Sequence, residues 1–284
     1  MHGAEIEANG NPTLRKNIIY DNHLNGVNFR ETASGLLDDN RIWKNRRCGV
    51  KATQDASPNL RGNKIEGNGA NGVEVEKGAT GVLDGNAIFE NCLAGVLVTS
   101  GAHPTIVSND IHDGKGEGLL FDDNAGQSLV EKNRITANVS AGICVRKGSD
   151  PTVRGNILKK AKMSAILVCE AGLGTFEKNI LSVNESVGVE VTSEADPKIL
   201  GNEIFSNRRH GVKCHGDKTK GHFEGNEIHS NGEHGVVVSS GACTVFKDNR
   251  IHDSKLSGAY VTINAEPEFA YNDILYSNNE HGID

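Results

Sequence analysis

The sequence predicts an all-β chain: a single-domain right-handed parallel β-helix spanning residues 1–284, a solenoid of about twelve 23-residue coils with an asparagine ladder. Three observations carry this expectation. A glycine recurs every 23 or 24 residues in one phase, from Gly3, Gly26 and Gly49 to Gly258 and Gly282, with Ala165 standing in once. An asparagine follows 14 or 15 residues after each coil's opening residue, from Asn17 and Asn40 to Asn249 and Asn272. A large apolar residue lies three positions before every one of these asparagines, and Ile or Leu two positions after, ending at Ile274. A repeat of this length is one supersecondary unit that buries its apolar face only by stacking on its neighbours.

Each coil divides into three pieces. The first opens at the glycine, where positions one and three residues on are apolar, as in Val27 and Phe29 or Val189 and Val191. That is the two-residue period of a short strand with one face inward. The second piece centres on the apolar residue before the asparagine, such as Leu14, Leu37 or Phe246, and the third on Ile19, Ile42 or Ile251. Three short pieces between Gly, Asn and Pro turns are too little for a helical repeat and suit a three-sided coil. At about 4.8 Å per rung the array is roughly 55–60 Å long. The asparagine column is expected inside a tight turn, each amide bonded to the next rung as in stacked ladders. A residue present in every coil marks scaffold rather than a site. A thirteenth coil is expected to begin at Gly282.

A finer pattern doubles the period. All six prolines lie five residues before a ladder asparagine, and the first five occupy alternate coils, while the intervening coils carry Gly35, Gly81, Gly174 and Gly221 in the same position, with Ser128 as the exception. Two residues before the asparagine the column runs Arg15, Asp38, Arg61, Asp84, Val107, Glu131, Arg154, Glu177, Leu200, Glu224 and Lys247. Opposite charges on adjacent rungs predict an external ion-pair ladder, each exposed pair contributing about 0–1 kcal/mol.

Composition narrows the function classes. A net charge of −7 argues against nucleic acid as a partner. No segment approaches the roughly 20 apolar residues of a membrane span, and no signal peptide is recognised before the first coil. Six cysteines, Cys48, Cys92, Cys144, Cys169, Cys214 and Cys243, show no paired spacing, so they are expected as reduced apolar fillers in a cytoplasmic or nuclear protein. The sequons at Asn138 and Asn184 are expected to be chance in so Asn-rich a chain. Uncapped terminal rungs are an association hazard, so the chain is expected to be part of a longer protein or to self-associate end to end.

Outward columns are where a site shows. Two residues after the glycine, Leu97, Leu120, Cys144 and Leu167 are consecutive apolar residues on a face expected to be solvated, which marks a binding stripe. Beside it Asp122 and Asp123 lie one rung from Arg146 and Lys147. Asp122 and Arg146 would supply polar specificity to the stripe. The four charged residues are also the alternative catalytic set, acids and base for polysaccharide lysis or hydrolysis. A third column carries Tyr20, Trp43, Phe89, His112, Phe205, His229 and His252, rings that would bind a sugar or a protein partner or pack under the following loop. The pairs His229/His252 and His210/His234 have no acidic or Cys partner at the same spacing, so surface histidines are expected, with no metal and no cofactor.

The unit reads G-V-x-V, then P-x-L-R-x-N-x-I, then N-x-x-x-G, as in Gly49 to Gly72 with Pro58, Leu60, Arg61, Asn63, Ile65 and Asn68. This resembles the parallel-β-helix repeats of the carbohydrate-binding and sugar-hydrolase (CASH) group, and most closely the β-helical domain of the F-box only protein eleven family of ubiquitin-ligase substrate receptors. That resemblance implies a non-catalytic scaffold that binds a protein or peptide, possible only for the recognition part since F-box and zinc-finger segments are not in the sequence. The alternative is a carbohydrate-binding or polysaccharide-active β-helix, a lyase, hydrolase or epimerase.

Overall fold

The computed structural model describes residues 1–273 together with 278 and 283. Ile274, Gly282, Asp284 and the expected thirteenth coil lie outside the described residues. The chain divides into two compact units, residues 1–140 and 141–284, built from the same coil.

In residues 1–140 each coil contributes one strand to each of three parallel sheets. The first sheet holds the strands that follow the repeat glycine, from Ala4–Ile6 to Leu119–Asp122. The second runs from Thr13–Arg15 to Leu129–Glu131 and the third from Ile18–Tyr20 to Arg134–Thr136. Each residue pairs with its equivalent one coil on, as Val73 with Val96 and Leu97 with Leu120. Residues 141–284 repeat the plan, with first-sheet strands from Ile143–Val145 to Ala259–Val261, second-sheet strands from Thr152–Arg154 to Glu268–Ala270, and third-sheet strands from Ile157–Lys159 to Arg250–His252. Among the described residues no helix is long and apolar enough to cross a membrane.

The core is the inward column of each sheet, such as Val27, Phe29, Leu37 and Ile42, all fully buried. In the second unit the second sheet stacks Phe223 on Phe246, centroids 4.6 Å apart. The repeat glycine is set by close approach. A Cβ on Gly26 would lie 2.6 Å from the Gly49 carbonyl oxygen, 2.6 Å from Ile42 Cγ2 and 2.7 Å from Asn45 Nδ2. Ala165 is tolerated where the residue 16 positions on is Leu181 rather than Ile, which removes that β-branched methyl. The Pro/Gly alternation has a steric cause too: Gly81 sits at φ +106°, and a Cβ there would fall against the Pro58 carbonyl.

The asparagine ladder forms as expected. Asn63 donates to Asn86 Oδ1 at 2.9 Å and to the Leu37 carbonyl at 2.8 Å, while its own Oδ1 accepts from the backbone N and the amide of Asn40. A second ladder stands four residues before the repeat glycine, Asn22–Asn45–Asn68–Asn91 in the first unit and Asn184–Asn207–Asn231 in the second. Asn138 and Asn184 belong to this column and are 1% exposed, so neither sequon presents an amide to a modifying enzyme. Outside, Asp38 bridges Arg15 at 2.7 Å and Arg61 at 2.9 Å, and Lys247 meets Glu224 at 2.9 Å. The Arg61 and Arg15 hydrogen bonds hold the Asp38 carboxyl below its ordinary value.

Candidate functional site

The expected stripe is distributed over both units. Leu97 and Leu120 are half-buried, outward and directly paired on the first sheet of residues 1–140. Cys144 and Leu167 are directly paired on the first sheet of residues 141–284. Leu167 is half-buried, whereas Cys144 is only 4% exposed. Cys144 hydrogen-bonds the Cys169 thiol, which holds Cys169 below its ordinary value. Asp122 and Asp123 belong to the first unit and Arg146 and Lys147 to the second. Asp122 Oδ1 accepts the backbone N–H of Asp123 at 2.9 Å, and Asp123 accepts the Ser100 hydroxyl at 3.0 Å. Of the six cysteines, all free, Cys48, Cys144 and Cys214 are buried, and Cys243 is exposed rather than a filler.

The aromatic column packs on itself. Tyr20 and Trp43 stack at 5.4 Å, Phe89 and His112 at 4.8 Å, and Phe205, His229 and His252 form a three-ring stack at 5.0 and 5.2 Å. The Arg41 guanidinium and the Lys44 ammonium each lie 4.7 Å from the Trp43 centroid, and Lys64 lies 5.1 Å from that of Phe89. Each of these rings therefore has a face against a neighbouring ring, while Tyr20, at 51% exposed, keeps solvent access. A sugar that stacks on a ring needs a free face. The column also carries polar contacts: His229 Nε2 lies 3.7 Å from Glu203, and His252 Nε2 3.4 Å from Glu227. His210 and His252 are buried, at 6% and 9% exposed, not surface histidines.

The arrangement best suited to acid–base chemistry lies on the first sheet of residues 141–284. Glu190 and Lys213 are directly paired outward residues of adjacent strands, and His215 follows two positions after Lys213 on the same face. His215 Nε2 lies 3.1 Å from Glu190 Oε1, and its Nδ1 is 3.4 Å from the Thr192 hydroxyl. The Ser164 hydroxyl donates to Glu190 Oε2 at 2.8 Å. The His215 hydrogen bond, opposed by burial and helped by Ser164, holds the Glu190 carboxyl below its ordinary value. An ionised Glu190 fixes the hydrogen on Nε2, leaving Nδ1 as a lone pair held loosely by Thr192. Both side chains keep access to solvent, 29% for His215 and 21% for Glu190.

At the leading edge of the same sheet His210 donates from Nε2 toward Glu233, 3.1 Å away, and accepts the His234 backbone N–H at Nδ1. Burial pushes His210 down to about 4, against the pull of Glu233, so it is a neutral structural imidazole. His234 stacks between His210 at 5.5 Å and Tyr260 at 4.9 Å. The column four residues after the glycine, which holds Asp122 and Arg146, also holds Thr192 and His215, and nothing in its residue types marks the second pair over the first. Among the described residues no group of three or more His, Cys, Asp or Glu side chains is arranged to hold a metal ion.

Comparison with solved structures shows the same fold at low identity. A double mutant of the periplasmic alginate epimerase AlgG is 12% identical with a TM-score of 0.64, covering 93% of this chain and 74% of that one. The A-module of the Azotobacter vinelandii mannuronan C-5 epimerase AlgE4 is 14% identical with a TM-score of 0.58, covering 97% and 88%. Pectate lyase Pel9A is 12% identical with a TM-score of 0.50, covering 87% and 70%. No curated protein matches the sequence. The family model described as right handed beta helix region matches residues 1–109, 51–204 and 188–284, and with the coils described above this makes the chain a member of the right-handed β-helix family.

Proposed function

We propose that the protein binds an acidic polysaccharide along the outer face of the first sheet in residues 141–284 and performs acid–base chemistry on it, as a lyase, hydrolase or epimerase. The observation that carries this reading is the Glu190–His215 pair beside Lys213. Removing a proton next to a sugar carboxylate requires a base, a group that stabilises the charge the base acquires, and a cation for the substrate. His215 Nδ1 is the base, Glu190 stabilises the imidazolium, and Lys213 is the cation on the same face. The similarity in fold to proteins named as alginate and mannuronan epimerases and a pectate lyase supports polysaccharide as the substrate class. The test is incubation with alginate and polygalacturonate, following unsaturated ends by absorbance and C5 configuration by NMR. Turnover is expected, with a loss of about 100-fold or more in His215→Gln at unchanged polysaccharide retention. Neither turnover nor retention on the immobilised polysaccharides would overturn the reading.

A second reading is favoured by the paired, outward Leu97 and Leu120: recognition of a protein or peptide, with Leu167 as the matching residue of the second unit. Its narrower form, a ubiquitin-ligase substrate receptor of the cytoplasm or nucleus, rests on the P-x-L-R-x-N repeat resemblance. In this reading Leu120→Asp abolishes capture of the partner and leaves polysaccharide turnover untouched.

A further inference from the structure

We propose that a cleft beside the first sheet of residues 1–140 is a binding site for one anionic sugar residue, a pyranose carrying a carboxylate or a sulfate. The cleft has a volume of about 240 Å³ and is lined by Asn25, Arg47, Cys48, Lys51, Ala70 and Glu74. It lies in the other unit from the Glu190–His215 cluster and shares no residue with it.

Arg47, Lys51, Glu74 and Glu76 balance in formal charge, but both carboxylates pair with Lys51 and leave Arg47 apart from them. Lys51 Nζ is held by Glu74 at 2.6 Å and by Glu76 at 3.1 Å, so two carboxylates surround one ammonium. Glu74 also accepts from the Cys48 thiol at 3.2 Å and from Asn71 at 2.8 Å. Burial works against the Glu74 charge, but the Lys51 and Cys48 hydrogen bonds outweigh it and hold the carboxyl below its ordinary value. Burial, with Glu74 beside it, pushes the Cys48 thiol up to about 12, so Cys48 stays a protonated donor rather than a nucleophile. The exposed Arg47 guanidinium on the cleft wall has no hydrogen bond or ion pair from its side chain among the described residues.

Counting unspent hydrogen-bonding capacity gives the ligand's chemistry. Arg47 offers its full fork of donors. Lys51 spends two of three protons, and Asn25 spends one amide proton on Asn28 while its oxygen takes the Cys48 backbone N–H. Glu74 has three of its lone-pair sites taken. Unspent donors therefore outnumber unspent acceptors, which favours an oxygen-rich anion as the ligand. A guanidinium fork matches the two oxygens of a carboxylate or sulfate. The volume is below the roughly 300–1,000 Å³ of drug-sized sites, which limits the occupant to about one ring. The short Ala70 side chain leaves room for the ring's C–H face beside the polar groups. That the anion is carried by a sugar rests on the polysaccharide reading above; that the cleft takes an oxyanion does not.

The experiment is an NMR titration of the full chain with glucuronate, glucose 6-sulfate, glucose, acetate and sulfate, following the Asn25 and Ala70 amides. Binding of one or both anionic sugars is expected with a dissociation constant on the order of 1 mM, and none of glucose. Because Arg47 makes no contact the fold depends on, Arg47→Gln should weaken binding at least about tenfold at unchanged melting temperature, while Arg46→Gln, in the same turn but off the cleft, should not. No shift with either anionic sugar, or equal affinity in Arg47→Gln, overturns the site. Acetate or sulfate binding as tightly as the sugars overturns the sugar assignment while leaving the His215 test unaffected.

Discussion

Replacing Asn63 by Ala is the sharpest test of what holds the coils in register. The Asn63 side chain makes four hydrogen bonds at 2.8–3.0 Å inside a turn where the residue is 1% exposed. Truncation leaves the Asn40 backbone N–H without its acceptor and strips one of the two bonds from the Asn40 amide, which keeps only the Leu14 carbonyl. Two buried donors stranded at about 1–3 kcal/mol each predict a loss of about 2–6 kcal/mol. Asn63→Asp should be worse although it is nearly isosteric, because a carboxylate oxygen would replace the donor that faces the Leu37 carbonyl and Asn86 Oδ1. Asn59→Ala, exposed on the strand Ser57–Arg61 that leads into this turn, should stay within about 0.5 kcal/mol. Urea unfolding gives the totals, and native-state hydrogen exchange at the Asn40 amide reads the loss locally, since each coil couples mainly to its neighbours. A loss below about 1 kcal/mol, or an Asp variant as stable as the Ala variant, would show that the ladder decorates the turn instead of holding it.

Gly26→Ala should destabilise by about 1–3 kcal/mol through overlap with the Gly49 carbonyl, whereas Gly62→Ala, at φ +63° with nothing within 4 Å, should cost about 1 kcal/mol from backbone strain alone; urea midpoints that reverse this order would refute the steric origin of the repeat glycine. His210 has its folded value depressed to about 4, so its contribution is fully present above about 6.5 and is lost as pH falls from there toward 4, by up to about 3 kcal/mol. His210→Asn, which restores the side chain that Asn25 and Asn71 use to accept the next coil's backbone N–H, should match wild type at pH 7 and lose less stability than wild type down to pH 4; parallel pH profiles would show that His210 does not titrate as a buried neutral group.

The coil was legible because its cause repeats. Close approach at the glycine, the Asn63-type turn and the inward Leu37 and Ile42 recur every 23 or 24 residues, so one sequence contains many independent copies of the same constraint. The second ladder was only half legible. Asn68 was visible in the N-x-x-x-G pattern, but Gly114, Ala161 and Ser254 interrupt the column and hide its role. The aromatic column was found and its geometry was not, because a spacing of 23 residues says that Tyr20 and Trp43 are neighbours without saying whether their faces point at each other or at solvent.

The candidate sites escaped a column-by-column reading for a reason built into the fold. Ladder side chains pair with equivalent positions at separations of 23 or 24, as between Asn40 and Asn63 or Asn202 and Asn226, and their amides reach one recurring backbone carbonyl at 26, as Asn63 does to Leu37. The contacts that gather chemistry run diagonally to another position of the next coil. His215 meets Glu190 at a separation of 25, Ser164 meets Glu190 at 26, and Cys48 meets Glu74 at 26. A residue two positions further along a strand still faces the same way, and a long side chain spans the diagonal of about 7–8 Å between it and the adjacent rung. Side-chain pairs of this kind also occur as single surface ion pairs, as between Arg41 and Glu66 at a separation of 25. Where several converge on one carboxylate, as at Glu190 and Glu74, polar groups gather on an outward face, and that gathering locates the surface on which binding and catalysis should be sought.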